Sequence, residues 1–300
     1  MYKYFFVTLL AISFYACQKE DFVKKIDMPV IAPKPTINCL IGEGNIIELT
    51  LSWSAGVPNN ILDEFEVITN ATVCFYENNV LIDTLDFNVN NKYSIDYAIQ
   101  PGNTYSIKAN VPGYGVLSAS DYYPAPAENF TASIVDSFFH TGINVFFPVI
   151  RLSFDDDIND NNYYSVSFNR MAFDTVTMSY YYTHSICASS TSPLLSSYPY
   201  SDEFGSEMCY KEFQIDDYDY NGQSIIIDFK IWSSSSSPND SFYINLGSTT
   251  EVYQLYSTTY STYMQAAGNP FAEPVQVYGN IENGYGIFAI FKKQSMAIPF

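Results

Sequence analysis

Short segments in which apolar and polar residues alternate recur along the first third of the chain, and they restrict it to β structure. In Asn45–Ser54 an apolar side chain occupies every second position, and Thr104–Val111 repeats the pattern. Such alternation puts one face of a strand in a core and the other in solvent. Glu77-Asn78-Asn79 separates two further segments of this kind, and asparagine tolerates the positive φ of a hairpin turn. We predict an immunoglobulin-like or transthyretin-like β-sandwich over 36–123.

A second β-rich domain is predicted after a proline-rich break. Pro124-Ala125-Pro126-Ala127 interrupts the strand pattern and marks a boundary. The chain has 27 tyrosines and 23 phenylalanines, residues that favour pleated and half-buried surfaces. We therefore expect a second β-sandwich or a barrel-like domain over 127–300. Its expected strands include Phe130–Phe139, Val145–Phe154, Tyr163–Phe173 and Ser224–Trp232.

One segment of the second domain has helical rather than strand periodicity. Ser248-Thr249-Thr250-Glu251 has the pattern of a capping box, in which Ser248 would accept from an amide of the first turn. Apolar and aromatic side chains then recur at helical spacing, and Gly268 supplies a stop. We predict a helix over about 249–266 whose aromatic stripe packs against a sheet, with a ligand platform as the alternative.

The N-terminus has the three parts of a lipoprotein export signal. Lys3 gives a positive start, and the apolar stretch up to Phe14 is too short to remain as a membrane-spanning helix. Tyr15-Ala16-Cys17 then places a small residue directly before a cysteine, as lipoprotein signal peptidase requires. We predict a signal peptide over 1–16, lipidation of Cys17 and an extended tether over 17–35. The alternative is an ordinary secretory signal with a chance cysteine.

The segment after Cys17 is charged. Gln18, Lys19, Glu20 and Asp21 resemble the acidic export tag that carries Bacteroidetes lipoproteins to the cell surface, and a solvated tether is the alternative. Removal of 1–16 takes one lysine from 13 basic residues, so 12 remain against 32 acidic ones. Such a surface repels nucleic-acid phosphates, which argues against a nucleic-acid partner. We expect anchoring to the outer membrane, facing the cell exterior.

Four further cysteines suggest two disulfides in an exported protein. They fall into two groups more than a hundred residues apart, Cys39 with Cys74 and Cys187 with Cys209. Three connectivities are open, and this grouping favours Cys39–Cys74 and Cys187–Cys209, one bridge per domain. Buried free thiols are the alternative.

Acidic turns are the source of metal ligands that the sequence suggests. Asp217, Asp219 and Asn221 alternate before a glycine, and Asp228 is twelfth in the segment, as in the calcium loop of an EF-hand. No helical pattern flanks the segment, so an acidic turn before a strand is the alternative. Asp155–Asn162 could also supply clustered oxygen atoms. Calcium is therefore the only candidate cofactor that the sequence suggests.

The sequence does not predict an enzyme. His140 and His184, the two histidines, lie outside the motifs of serine, cysteine and metal-dependent hydrolases. Paired carboxylates for glycoside cleavage stay open, but no spacing singles out a pair. Tyrosines such as Tyr180–Tyr182 and Tyr198–Tyr200 suit the binding of a sugar or a protein, with aromatic packing as the alternative.

The C-terminal region carries a resemblance to a known family. Asn269–Pro274 and Val277–Phe288, with the letters NPFAEP and VYGNIENGYGIF, are similar to the end of the lipoprotein family known as domain of unknown function 4249. Asn70–Val73 and the segment from Arg151 to Tyr164 agree with other parts of that family. The resemblance implies a Bacteroidetes outer-membrane lipoprotein associated with TonB-dependent transporters, and no catalytic residue. Asn283-Gly284 is also a strong hairpin dipeptide, so we expect this signature to specify a fold rather than a site.

These patterns combine into one functional expectation and two alternatives. We expect a surface-exposed outer-membrane lipoprotein, a non-enzymatic accessory or ligand-capture partner of a TonB-dependent transporter. The first alternative is a structural or adhesive cell-surface protein. The second is a hydrolase that acts on glycans or peptides.

Overall fold

The computed structural model describes residues 32–42, 44–55, 65–158, 162–174, 176–197, 202–204, 207–218, 220–233, 240–267, 271–273 and 275–299. The predicted signal peptide, Cys17, the export tag at 18–21 and the tether as far as 31 lie outside these residues. Lys34–Ser54 and Phe65–Phe300 form one compact unit, to which the following description applies. Its described part is built from strands and one helix, which confirms the mainly β prediction.

The elements are numbered along the chain. They are β1 Pro35–Ile41, β2 Ile46–Trp53, β3 Thr72–Glu77, β4 Val80–Phe87, β5 Tyr93–Asp96, β6 Thr104–Val111, β7 Gly115–Tyr122, β8 Glu128–His140, β9 Val145–Asp155, β10 Tyr163–Asp174, β11 Ser179–Ile186, β12 Ala188–Ser189, β13 Leu195–Ser197, β14 Asp202–Phe204, β15 Glu207–Cys209, β16 Glu212–Asp216, β17 Ser224–Ile231, β18 Ser241–Thr249, α1 Glu251–Ala266, β19 Tyr285–Ile290 and β20 Lys292–Pro299.

The first sheet is one curled sheet of eight strands in the order β19-β1-β2-β5-β4-β3-β6-β7. Its two edge strands approach each other, because Glu282, just before β19, forms a bridge to Ser118 of β7. The sheet therefore nearly closes into a barrel. Alternate residues of β1, β2, β3, β6 and β7 point inward, and Ile37, Phe75 and Ile107 are among those with no exposed surface. The alternation in the sequence thus supplies the core of this barrel.

The last part of the chain returns to this first sheet. Tyr285–Ile290 pairs in parallel with β1, although we predicted one contiguous second domain over 127–300. That boundary needs correction, because β19 has core residues of the first barrel, among them Phe288 and Ile290. Asn283-Gly284 does form a turn, with Asn283 at a φ of 61°. It does not join two strands of a hairpin, since the described residues before it form only the isolated bridge at Glu282.

The second domain is a β-sandwich, as predicted. One sheet has the order β13-β16-β10-β18-β20, with β11 also paired to β10, and the other has the order β12-β17-β9-β8. Apolar side chains from both sheets fill the space between them, for example Leu152 and Phe229 from one sheet and Phe168 and Phe242 from the other. Burial of such large side chains is the dominant favourable contribution to a fold of this kind.

The helix begins two residues later than predicted, and a different residue caps it. Thr250 is the N-cap, and its hydroxyl accepts a hydrogen bond from the amide of Tyr253 at 3.3 Å. Ser248 instead lies at the end of β18, where its hydroxyl accepts from the amide of Ala127 at 3.1 Å. The helix ends at Ala266, and Gly268 lies outside the described residues. No helix in the described part of the chain has the length and apolar character needed to span a membrane.

The cysteines divide differently from the prediction. Cys187 and Cys209 form a disulfide, as expected, with 5.4 Å between their Cα atoms. The predicted Cys39–Cys74 disulfide is wrong, because both thiols are free. Cys39 points into the barrel core from β1, whereas Cys74 lies on the outer side of β3, which is not a neighbour of β1. Burial raises the pKa of the Cys39 thiol to about 12.

Candidate functional site

The helix α1 lies against the outer face of the larger sheet of the second domain. Gln254 donates to the carbonyl of Ile215 at 3.5 Å, and the Thr258 hydroxyl donates to the side-chain oxygen of Gln214 at 3.0 Å. Both sheet residues belong to β16. The helix therefore lies over β16, the strand next to the edge strand β13, in a sheet whose other face packs in the sandwich core.

The covered face of this sheet is polar. Register places Glu212, Ser167, Asn245 and Ser295 in one row across β16, β10, β18 and β20. The Ser295 hydroxyl donates to Asn245 at 2.8 Å, and Asn245 donates to the side chain of Asn169 at 2.7 Å. Alternation in these strands thus puts apolar residues in the core and a hydrogen-bonded polar row on the opposite face. Of this row, Glu212 borders the cavity beside the helix.

A groove opens where the second half of the helix meets β16. The cavity has a volume of about 270 Å³. Glu212 and Gln214 come from β16, and the helix contributes a tyrosine, a methionine and two serines. The lining consists of Lys211, Glu212, Gln214, Ser257, Tyr260, Ser261 and Met264. We call this cavity the helix groove.

Glu212 is the acidic group of the helix groove. Burial raises its pKa above the ordinary value, and a hydrogen bond from Ser257 acts in the opposite direction. Its Oε1 atom is buried and has no hydrogen-bond partner among the described residues. An ionisable oxygen that is withdrawn from water without a donor is costly, so it marks a place where a ligand could add the missing bond.

The aromatic stripe of the helix forms the wall of the groove. Tyr260 stacks on Tyr256 with 5.7 Å between ring centroids and 16° between ring planes. Tyr253 packs on Phe291 at 5.0 Å, as the packing prediction requires. However, no residue of the helix is fully buried, and Tyr260 and Met264 are 44% and 42% exposed. The stripe is therefore only partly covered by the sheet, and its second half faces the groove.

The residues proposed for calcium are only partly brought together. Asp217 is 1% exposed and one of its oxygens accepts from the amide of Asn162 at 2.8 Å, which joins the two acidic segments. Asp228 instead forms a bidentate ion pair with Arg151 at 2.7 and 2.8 Å, in the middle of β17. Asn221 is exposed in the turn, and Asp219 lies outside the described residues. Within the described part of the chain, no three His, Cys, Asp or Glu side chains form a metal site, and calcium stays a prediction.

The two acidic segments meet through a second contact. Asp156 accepts from the Tyr164 hydroxyl at 2.6 Å and from the amide of Gly222 at 2.7 Å. Burial raises the pKa of Asp217, and the nearby Asp156 adds to this rise. These bonds hold the two turns together at one end of the sandwich.

The other residues singled out in the sequence lie away from the helix groove. His140 is at the end of β8, with its ring 5.6 Å from that of Trp232. His184 lies on β11, and Tyr181 on the same strand is 53% exposed. Residues 198–200 are outside the described part of the chain. The sequence analysis did not single out Glu212 or Gln214, because nothing in a short strand indicates which element will cover it.

The C-terminal signature closes the barrel. The Asn280 side chain donates to the carbonyl of Phe288 at 2.8 Å and accepts from its amide at 2.9 Å, as a neighbouring strand would. Gly286 has a φ of 102°, and a Cβ atom there would lie 1.9 Å from the carbonyl oxygen of Ile37. Asn283 also donates to Val116 of β7 at 3.2 Å. Asn280, Asn283 and Gly286 of the signature therefore have structural roles.

Comparison with known proteins identifies the family. The model of the family described as Domain of unknown function (DUF4249) matches residues 23–296. The chain belongs to this family. DUF4249 membership agrees with the resemblance of the C-terminal signature. A search of curated proteins gives no significant match.

Solved structures show only remote similarity to this DUF4249 chain. A protein from Corynebacterium diphtheriae that is described as membrane anchored has 12% identity and a TM-score of 0.21, with 73% of this chain and 55% of that one covered. The chain thus spans about half the length of that protein. An α2-macroglobulin from Salmonella has 10% identity and a TM-score of 0.22, with 91% of this chain and 15% of that one covered. Similarities at these scores do not bear on function.

Proposed function

We propose that this DUF4249 protein is a non-enzymatic ligand-binding lipoprotein of the outer membrane, exposed on the cell surface and acting as the capture partner of a TonB-dependent transporter. The helix groove is the observation that carries the proposal, because it combines the polar side chains of Glu212 and Gln214, an aromatic wall and a carboxyl oxygen without a partner. Concave sites with an apolar wall and a few placed polar groups are the usual form of a small-molecule site.

The lining of the groove favours binding over catalysis. Glu212 is its acidic residue, and the described lining contains neither a second carboxylate nor a histidine. Hydrolysis of a glycoside ordinarily needs two carboxyl groups, and nucleophilic catalysis by serine needs an adjacent base. Glu212 accepts from Ser257, but the described lining has no histidine to complete a catalytic triad, so Ser257 and Ser261 are suited to hydrogen bonding with a ligand.

The proposed location rests on the N-terminal sequence. Cys17 would carry the lipid, the Gln18–Asp21 segment would direct export, and the tether up to residue 35 would hold the β-domains away from the membrane. A Cys17→Ala variant should be released in soluble form when cells are fractionated. Retention of this variant in the outer membrane at the level of the unchanged protein would contradict lipid anchoring.

The role of the groove can be tested by filling it. Ser261→Trp places an indole in the cavity, whereas Thr262→Trp adds the same side chain one position along the helix, at an exposed residue outside the lining. After mild detergent extraction, we expect a β-barrel receptor to co-purify with the full-length protein and with Thr262→Trp. The small molecules carried by Ser261→Trp should be reduced at least tenfold. Absence of a receptor from all three preparations would contradict the transporter partnership.

The alternative of an adhesive protein has one observation in its favour. The tip of the β8–β9 hairpin exposes apolar side chains, among which Phe146 is 64% exposed, Ile143 is 47% and Phe139 is 45%. The opposite face of this hairpin packs on Trp232 through Phe138 and Phe147. Apolar groups on the outer face of a supported hairpin suit contact with another protein. If Phe146→Ser abolishes cell adhesion while Ser261→Trp has no effect on any activity, the adhesive function is the correct one.

A further inference from the structure

The ligand class can be inferred from the groups that surround the unpartnered oxygen of Glu212. Its Oε1 atom is buried and has no hydrogen-bond partner among the described residues, although Ser257 bonds to the carboxyl group. A buried carboxylate in this state gains most from a ligand that brings both a positive charge and N–H donors. A neutral hydroxyl would supply the hydrogen bond but not the charge.

The aromatic wall of the groove favours an organic cation over a metal ion. Tyr260 and Met264 present aromatic and thioether surface, and Tyr260 is held in position by its stack on Tyr256. An ammonium group next to a tyrosine ring is attracted by the negative face of the ring. A divalent metal ion instead prefers six or more oxygen ligands, whereas Glu212 is the acidic residue that the described lining offers. The chemistry thus favours an organic cation with an apolar body.

The negative charge of the chain also favours a cationic ligand. The formal net charge is −19, which raises the local concentration of cations and lowers that of anions near the surface. Lys211 borders the groove and contributes one positive charge of its own. Removal of Lys211 therefore distinguishes the sign of the ligand, because a cation would bind as well or better and an anion would bind more weakly.

We propose that the helix groove binds a small organic ammonium compound, with the ammonium on Glu212 and the apolar body against Tyr260 and Met264. This inference rests on the proposed ligand-binding function and specifies its ligand class. Gln214 and Ser261 border the same space and can bond to polar groups on the body of the ligand. On binding, Glu212 turns its carboxyl group into the groove, so that the ammonium supplies the donor that Oε1 lacks, and the ring of Tyr260 covers the apolar body of the ligand.

Calorimetric titration of the full-length protein in detergent tests the ligand class with two matched probes. The first is 2-phenylethylammonium, and the second is 2-phenylethanol, a neutral compound of nearly the same shape. We expect the ammonium probe to bind at least tenfold more tightly than the alcohol. Glu212→Gln, which keeps the shape of the side chain, should remove this difference. Lys211→Gln should leave the affinity for the ammonium probe unchanged or increase it.

Each other outcome has a definite meaning. Equal affinities for the two probes, or an unchanged preference in Glu212→Gln, would overturn the ammonium inference while leaving the groove as a binding site. A loss of ammonium binding in Lys211→Gln would also overturn it. If neither probe binds at millimolar concentration, the inference fails, whereas the proposed function is judged separately by co-purification with Ser261→Trp and Thr262→Trp. If Glu212→Gln does not fold, the ammonium inference is still tested by the difference between the affinities of the unchanged protein for the two probes.

Discussion

Asn280 offers the sharpest test of how the family signature acts. Its side-chain amide replaces a strand beside β19, since it bonds to both the amide and the carbonyl of Phe288. Phe288 has no exposed surface, so Asn280→Ala would leave two main-chain groups without partners in a buried region. Each such loss costs about 1–3 kcal/mol, and partial entry of water reduces the sum. We therefore expect the free energy of unfolding to fall by about 2–5 kcal/mol.

Equilibrium unfolding in urea measures this change, with hydrogen exchange to locate it. Asn280 also donates to the carbonyl of Ser120 in β7 at 3.4 Å, so amide protection should fall first on β7 and β19. Asn90→Ala is the matched control, because Asn90 lies in an exposed turn of the same barrel, and it should alter the free energy of unfolding by less than about 0.5 kcal/mol. If the free energy of unfolding of Asn280→Ala lies within about 0.5 kcal/mol of that of the unchanged protein, roughly the spread of surface substitutions, Asn280 does not help to close the barrel.

Three further outcomes are expected. Burial raises the pKa of Asp121 from 3.8 to about 6, so the folded state binds the proton more tightly than the unfolded state. The free energy of unfolding should therefore fall by about 3 kcal/mol as pH rises through this interval, and urea unfolding of Asp121→Asn at several pH values should lack this slope. Gly286→Ala should cost more than about 3 kcal/mol in a thermal melt, because its Cβ would collide with the carbonyl of Ile37. Iodoacetamide should modify Cys74 in the native protein and Cys39 only after unfolding, as peptide mass mapping would show.

The parts of the fold that local pattern determines could be predicted from the sequence. Alternation in Asn45–Ser54 gave β2, and helical spacing after residue 250 gave α1 within two residues. The pairing of β19 with β1 could not be predicted, because it joins segments about 250 residues apart and alternation does not specify a partner. The same limit applies to Cys39 and Cys74, since their separation in the sequence gives no information on which faces of the barrel they occupy.

The candidate site depended on tertiary structure for a similar reason. The stripe that contains Tyr260 was evident, but the polar row opposite it arises from four strands that come together only in the sandwich. Glu212 has no motif around it, and its place in the groove follows from the helix that covers β16. A motif can also be present without its site. Asp228 matches the spacing of a calcium loop in the sequence, but it forms an ion pair with Arg151 in the structure.

If the helix groove carries a ligand, protein purified from its native membranes should contain that ligand. The small-molecule content of such protein is therefore the most direct measurement. Full-length protein, Ser261→Trp and Thr262→Trp would be denatured and their released compounds compared by mass spectrometry. We predict an amine-bearing compound that is at least tenfold enriched in the unchanged protein and in Thr262→Trp relative to Ser261→Trp. Equal small-molecule content in the three preparations would contradict the claim.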